Sequence, residues 1–448
     1  MNSEQTKFVT ACNKGDVDAV RLLLADNRFN PGVVNNYAIQ WACCYGHVDI
    51  LRLLLADSRI NPADRNNEAI RLACGKGHVD VVRLLLADDR VNPADLNNDA
   101  LQWACLIGHI DVVRLLLADD RINPADNNNK AIQVACRYGH IGVVRLLLTD
   151  SRVNPGDKNN KAIRWACLNG HSDVVRLLLA DNRVNPADDN NKAIQNACMY
   201  GHTDVGSLLL ADKRIDPTDR RNGAIRLACE NGHIDMVRLL LADARVHPAD
   251  NNNEPIRLAC RGGHLDVVRL LLVDPRVNPA NENNEALQQA CWKCDLEIIR
   301  LLLADPRVNP ADENNDAMRR VCVNGHFDVI CLLLMDPRMD IFHLVSTFSI
   351  VEKYGSKQFV CALLALARIK PFCTKWGPLD IKAYNLDMLR HWQRKSFIIL
   401  YKQDEEFRNG PYGVLLKRRL EIANLYGCAV LASRLPEEMI ELVLEYMK

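Results

Sequence analysis

A cysteine recurs at positions 12, 43, 74, 105, 136, 167, 198, 229, 260, 291 and 322, each one 31 beyond the last across eleven units. The residues around it recur as well. The unit 66–95 reads NNEAIRLACGKGHVDVVRLLLADDRVNPAD, and its neighbours differ from it by a few substitutions and no insertion. A fixed period of this size describes one supersecondary unit that cannot bury its apolar face alone, so neighbouring units must stack into a shared core. The chain is therefore expected to be an all-α solenoid.

Within one unit, Ala69, Ile70, Leu72, Ala73 and Cys74 predict a short helix of mostly small residues that lets its neighbours come close. Asn67 is expected to cap its start through the side-chain oxygen, and Gly77 to end it. His78 leads into a second helix, with Asp80 in the first turn, where a negative charge suits the dipole, and with Val81, Val82, Leu84, Leu85 and Leu86 as its apolar faces. Asp88, Arg90, Asn92 and Pro93 make the return a turn-rich segment. The string A-C-x-x-G-H-x-D-V-V-R-L-L-L at 73–86, followed by Val91-Asn92, resembles the ankyrin repeat, whose fold is two antiparallel helices and a projecting loop. The unit is two residues shorter than the usual repeat of about 33. The Thr-Pro-Leu-His helix start of that family reads Glu68-Ala69-Ile70-Arg71 here, so shorter, more turn-like loops are expected.

Composition excludes several classes. Net charge is zero, which gives no general affinity for nucleic acid or membranes. Residues 1–8 are polar, so no secretory leader is expected. The longest apolar run, 359–367, is too short to span a bilayer. Of 17 cysteines, eleven occupy the small-residue slot of the first helix and read as buried, reduced thiols, which points to the cytoplasm or nucleus.

The first unit lacks the Asn-Asn lead and carries Lys7 where later units have Ala, as suits an exposed terminal repeat. In the seventh unit Gly206-Ser207 replaces Val-Arg, a candidate soft point costing up to about 1 kcal/mol of helix propensity. Pro275, Pro306 and Pro337 are expected to stiffen the late return loops. A degenerate twelfth unit is expected over 348–371, giving an array over 1–371. The period then vanishes into a helical region, 372–434, and an amphipathic helix, 435–448.

Nine histidines share one slot: 47, 78, 109, 140, 171, 202, 233, 264 and 326. Stacked layers about 8–10 Å apart cannot share a zinc that needs ligands at about 2 Å, so these are read as structural. Cys291-Trp292-Lys293-Cys294 looks like half a redox or zinc site, but Cys291 is the repeat cysteine and Cys294 replaces the repeat glycine. The recurring Asp-x-Arg of the return loop and the Asp-x-x-Arg of the second helix are expected to be solvated charge ladders, each pair worth little. No phosphate-binding glycine loop, metalloprotease motif or nucleophile–base set is present, so neither catalytic residues, cofactor nor metal is expected.

The varying positions carry the information. In the ankyrin family the loop tips and exposed first-helix residues form the recognition face. By that resemblance the residues expected to contact a protein partner here are Glu68, Asp99, Lys130, Lys161, Lys192, Glu254, Glu285 and Asp316 at the helix start, with Lys158 and Arg220 in the loop. Glu282 and Glu313 share the loop slot, and Asp189 interrupts the basic set. Charge is thus banded: acidic early, basic in the middle, acidic late. Tyr45, Tyr138 and Tyr200, just before Gly-His, are hot-spot candidates. Trp41, Trp103 and Trp165 share a slot that elsewhere holds Leu and are expected to pack between repeats.

At 435–447 the sequence Leu-Pro-Glu-Glu-Met-Ile-Glu-Leu-Val-Leu-Glu-Tyr-Met puts Ile440, Val443, Leu444 and Met447 on one helical face behind Leu435 and Pro436. It resembles the opening of an F-box and, placed after ankyrin repeats, the truncated F-box (PRANC) of poxvirus ankyrin proteins. That resemblance implies docking to the Skp-type linker of a cullin–RING ubiquitin ligase. An amphipathic helix that folds back to cap the array is the alternative. The functional expectation is a non-catalytic, monomeric protein-recognition scaffold, either a ligase substrate adaptor or a purely structural assembly scaffold. An enzyme with its site in 372–434 is the remaining class.

Overall fold

The computed structural model describes residues 3–339 apart from 27–28, 33–35, 313–315, 319, 322–325 and 337. Glu313, Cys322, the expected twelfth unit and everything after it, including Leu435, Pro436, Ile440, Val443, Leu444 and Met447, lie outside the described residues. Among the described residues the only regular structure is helix. The chain divides into two compact units, Met1–Pro255 and Ile256–Lys448.

In the first unit each repeat contributes a leading helix, as at Asp64–Lys76, Asp95–Ile107 and Asp126–Arg137, and a following helix, as at Val79–Leu86, Ile110–Leu117 and Ile141–Leu148. Leading helices pack in succession against leading helices, and following helices against following helices, forming two layers. In the second unit the following helices Leu265–Val273, Leu296–Ala304 and Phe327–Met335 stack in the same order. This is an ankyrin-type solenoid arrangement. The leading helix buries Ala69, Ile70, Ala73 and Cys74, whose small side chains permit close layering; the following helix buries Val81, Val82 and Leu85, and the loop adds Val91. Ten of the slot cysteines are free and buried, from Cys12 to Cys291. Desolvation pushes the Cys12 and Cys291 thiols up to about 12, which makes them apolar filler rather than nucleophiles.

The Gly-His corner is the first of three inter-repeat fasteners. Gly77 ends its helix at φ +78° with its N–H on the Ala73 and Cys74 carbonyls. The next unit's His109 ring lies directly over it: a Cβ on Gly77 would sit 2.6 Å from His109 Nδ1. That ring slot reaches back 34 positions to a carbonyl, as His78 Nε2 does to Cys44 O at 3.0 Å and His140 Nε2 to Leu106 O at 2.9 Å. The histidine stripe thus holds backbone carbonyls of the preceding unit.

The second fastener corrects the helix-cap expectation. Asn67 makes no side-chain cap; it is the third of three consecutive left-handed residues, Arg65, Asn66 and Asn67, at φ 55°, 57° and 56°. The same left-handed turn recurs through Glu282-Asn283-Asn284. Left-handed backbone costs a residue with a Cβ about 1–2 kcal/mol, and Asn tolerates it best, which explains the Asn-Asn lead. The buried Asn67 side chain reaches forward instead, accepting the Asn92 N–H at 2.8 Å and donating to Asp95 at 2.9 Å. The turn's own carbonyls are held by a helix side chain: Gln133 Nε2 donates to Asn128 O at 2.6 Å, and Arg164 Nη2 to Lys158 O at 3.0 Å.

The third fastener corrects the solvated-ladder expectation for the return-loop pairs, whereas second-helix pairs such as Arg269–Asp266 are exposed. Arg90 folds its guanidinium onto Asp88 at 2.6 Å while its Nη1 and Nη2 donate to Ile60 O at 3.0 Å and Leu55 O at 2.8 Å in the preceding unit. Arg121, Arg183, Arg214 and Arg245 do the same. The carboxylates are largely covered, Asp88 being 15% exposed. The hydrogen bonds from their arginines hold Asp57, Asp88, Asp119, Asp150, Asp181, Asp212, Asp243, Asp274 and Asp305 below the usual carboxylate range. A depressed folded-state value stabilises the fold above the unfolded value of about 3.9 and ceases to do so as pH falls through the folded value. The triple variant Arg90→Gln, Arg121→Gln, Arg152→Gln should therefore lower the urea midpoint markedly at pH 7, with a smaller deficit below about pH 3. A deficit equal at both pH values would show that the carboxylates contribute nothing.

Two local departures also resolve. The space left by Gly206 is taken by the next unit's side chains, since a Cβ there would lie 2.7 Å from Met236 Cε. The expected soft point is a packed contact. At Cys291-Trp292-Lys293-Cys294, Cys294 adopts the glycine's left-handed conformation at φ 61°, and Asp295 takes the histidine slot, capping the next helix through Ile298 N–H at 3.1 Å.

Candidate recognition face

The variable slot opens each leading helix, immediately after the left-handed turn, and its acidic members are mostly engaged. Glu68 pairs with Arg65 at 3.1 Å, Asp99 with Arg71 at 3.1 Å, Glu254 with Arg226 at 2.6 Å and Asp316 with Arg320 at 2.7 Å, while Glu285 pairs with Arg257. Asp99 also accepts the Trp103 indole N–H at 3.1 Å. Most of these arginines sit one unit back, on the helix face that precedes the acid. Asp189, which interrupts the basic set in the sequence, is neutralised by Arg164 at 2.5 Å.

The basic members differ. Among the described residues Lys130 and Lys192 make no ion pair or side-chain hydrogen bond; the place 28 positions earlier, which holds an arginine opposite the paired acids, holds Gln102 and Arg164, neither of them an acid. Lys161 lies over the Trp165 ring at 5.8 Å, and Lys158 and Arg220 are exposed at the tip of the left-handed turn. Within the variable slot the banding read from the sequence is therefore sharper in space: its acids are ion-paired, and its members in units five to seven, all basic, are not.

Aromatic side chains accompany that charge. Tyr45, Tyr138 and Tyr200 are each about half exposed at the ends of leading helices. Tyr45 stacks between Trp41 at 5.7 Å and His47 at 6.1 Å, and Tyr200 stacks on His202 at 6.3 Å. The tryptophans combine packing between repeats with exposure: Trp103 lies against Gly75 of the preceding unit, while Trp41 remains 37% and Trp103 44% exposed. Trp165 lies under the Arg137 guanidinium at 3.8 Å, and Arg137 also covers Tyr138 at 5.5 Å. Arg137 and the exposed Ile107 and Met199 are face residues that the sequence reading did not single out. The slot of the tryptophans also holds Asn196, which is buried and donates to the Arg164 carbonyl of the preceding unit at 3.1 Å.

Among the described residues, no three His, Cys, Asp or Glu side chains are grouped so as to hold a metal, and no helix is long and apolar enough to cross a membrane. Comparison with curated proteins found no match. The family model described as ankyrin repeats (3 copies) matches residues 8–98, 90–161, 150–221 and 218–280. Together these matches span more than half of the 448 residues, over the same stretch in which the two helix layers and the turn fasteners repeat. Repeats of this kind are protein-interaction scaffolds and in general non-catalytic, and the chain belongs to the ankyrin-repeat family.

Proposed function

We propose that the chain is a non-catalytic, cofactor-free and monomeric scaffold that binds a protein partner on its leading-helix face, centred on units five to seven. The observation that carries this reading is the contrast between cancelled acids and uncancelled lysines. Lys130, Lys161 and Lys192 lack carboxylate partners beside half-exposed aromatics, whereas Asp99 and Glu254 are paired. Leaving like charges unpaired on one face costs some stability, a cost that an acidic partner would relieve on binding, and such charge steers and orients association. Buried, unpaired thiols suit a reducing compartment, the cytoplasm or nucleus.

In its finer form the scaffold is a substrate adaptor. The array over 1–371 selects the target, 372–434 forms a helical connection, and 435–448 docks a Skp-type subunit of a cullin–RING ligase through Leu435, Pro436, Ile440, Val443, Leu444 and Met447. This form is supported by the amphipathic spacing and the F-box resemblance of that segment. Affinity purification with mass spectrometry tests it, comparing the full chain, a chain ending at Ser433 and the variant Val443→Asp, Leu444→Asp. A Skp-type protein and a cullin recovered with the full chain alone, with the other partners retained throughout, is the expected result. An unchanged partner set with a lowered melting temperature would make the segment a cap and the protein a purely structural scaffold.

A further inference from the structure

We infer that the partner of this face is an extended acidic segment in the polyproline II conformation, carrying a carboxylate at every third residue. The inference rests on the recognition reading above and specifies its ligand. Lys130, Lys161 and Lys192 stand at the same slot of three successive leading helices, Asp126–Arg137, Asp157–Leu168 and Asp188–Tyr200, which pack directly on one another. Helices packed in this way lie about 8–10 Å apart, so the three lysine positions recur along the face with that repeat.

The spacing selects the ligand's backbone. Polyproline II rises about 3.1 Å per residue with three residues per turn, so every third side chain lies on one face at about 9.3 Å intervals. A β-strand alternates faces every residue and puts same-face side chains about 6.6–6.8 Å apart, out of step with the row. An α-helix repeats its face at intervals of about 5.4 Å and also falls out of step.

Charge and surface chemistry agree with that occupant. The carboxylates that open the same helices are held elsewhere: Asp157 accepts from Asn129 at 2.9 Å, Asp188 from Asn160 at 2.5 Å, and Asp189 pairs with Arg164 at 2.5 Å. Among the described residues none of them forms an ion pair with the three lysines. Beside the lysines the half-exposed Tyr138 supplies a flat ring, the kind of surface on which proline rings of a polyproline II ligand stack. Such a segment is already extended before it binds, so little ordering entropy opposes association.

The probe is a fluorescein-labelled peptide of Glu-Pro-Pro repeated four times, titrated with the full chain by fluorescence anisotropy at about 50 mM salt, where screening is weak. Its isomer with all glutamates contiguous, and a labelled oligothymidylate of similar charge, are measured in parallel. A Lys→Gln change at any one of the three positions should weaken the periodic peptide about fivefold, and the triple variant about a hundredfold. The block isomer, which addresses one layer at a time, should bind the unaltered chain about tenfold or more weakly. Unchanged helical circular dichroism verifies that the variants fold. Equal affinity for the two isomers, or indifference to the triple variant, overturns the inference. Tighter binding of the oligonucleotide that is lost with the lysines overturns it in favour of a nucleic-acid ligand. Partner capture by Tyr138→Ala and Tyr200→Ala chains separates the two levels. Partners that depend on the tyrosines but not on the lysines leave the recognition reading standing without the acidic ligand, whereas partners that depend on neither remove the recognition reading itself.

Discussion

Gly139→Ala is expected to destabilise its part of the array by about 3–5 kcal/mol, and Gly263→Ala, the same substitution in the same slot, by only about 1–2 kcal/mol. Both glycines are left-handed, at φ +77° and +79°, so both pay the same backbone cost on gaining a Cβ. They differ in what lies above them. A Cβ at Gly139 would meet His171 Nδ1 at 2.6 Å and Cε1 at 2.7 Å, so the ring must move, and with it the His171 Nε2 contact to the Arg137 carbonyl at 2.9 Å. Steric overpacking costs about 1–3 kcal/mol and a lost hydrogen bond about 0.5–1.5 kcal/mol. Above Gly263 the histidine slot holds Asp295, and the nearest atom is Lys293 Cε at 3.4 Å, the far part of a flexible side chain. Because repeat arrays unfold by segments, amide hydrogen exchange across the affected interface reports the change more directly than a single global midpoint. Equal losses at the two glycines would show that backbone conformation alone fixes the residue and that the ring contact is incidental.

The sequence made the architecture legible because the period is strict. A cysteine at the same place in every unit, glycine at the end of the first helix and a Leu triplet in the second are each dictated by local geometry, and the two helix layers follow from them. What periodicity conceals is the direction in which a repeated polar side chain reaches. The Asn-Asn lead reads as a helix cap by local preference, yet Asn67 bonds residues 25 and 28 positions ahead. Asp88-x-Arg90 reads as a surface pair, yet its guanidinium spans 30 and 35 positions back. These spans bracket the repeat length, so the bonds that define an interface join neighbouring turns of the array, and no window of local helix or turn length contains both partners.

The same limit governed the face. The candidate residues were locatable from their variation, and the lysine band stands out in the sequence. Whether a given charge is available to a partner depends on the residue one unit away. Asp99, Glu254 and Glu285 are matched by Arg71, Arg226 and Arg257, each 28 positions earlier. At the corresponding place before Lys130 stands Gln102, and before Lys161 stands Gln133. Arg164 precedes Lys192 by the same interval and is diverted to Asp189. Complementarity between adjacent repeats thus silences most of the variable charge and leaves one band exposed.

The left-handed turn gives the second large effect. Asn129 is 5% exposed, holds φ +58°, accepts the Asn154 N–H at 2.7 Å and donates to Asp157 at 2.9 Å. Asn129→Ala should cost about 3–5 kcal/mol, the left-handed penalty plus two partners left without their bonds. Asn128→Ala, one residue earlier at φ +56° but with an exposed side chain, loses only the conformational preference and should cost about 1 kcal/mol. Asn129→Asp separates the roles further. It keeps the backbone tolerance and the acceptor for Asn154, but it sets a second carboxylate against Asp157, which raises the pKa of the pair in the folded state. Its deficit should therefore be largest at neutral pH and shrink as the pH falls and one carboxyl takes up a proton to serve as donor. Urea unfolding of the three variants at pH 7 and pH 5 distinguishes these outcomes. Should Asn128→Ala and Asn129→Ala cost the same, the bridging bonds would carry no stability, and the buried asparagine would be there for its backbone alone.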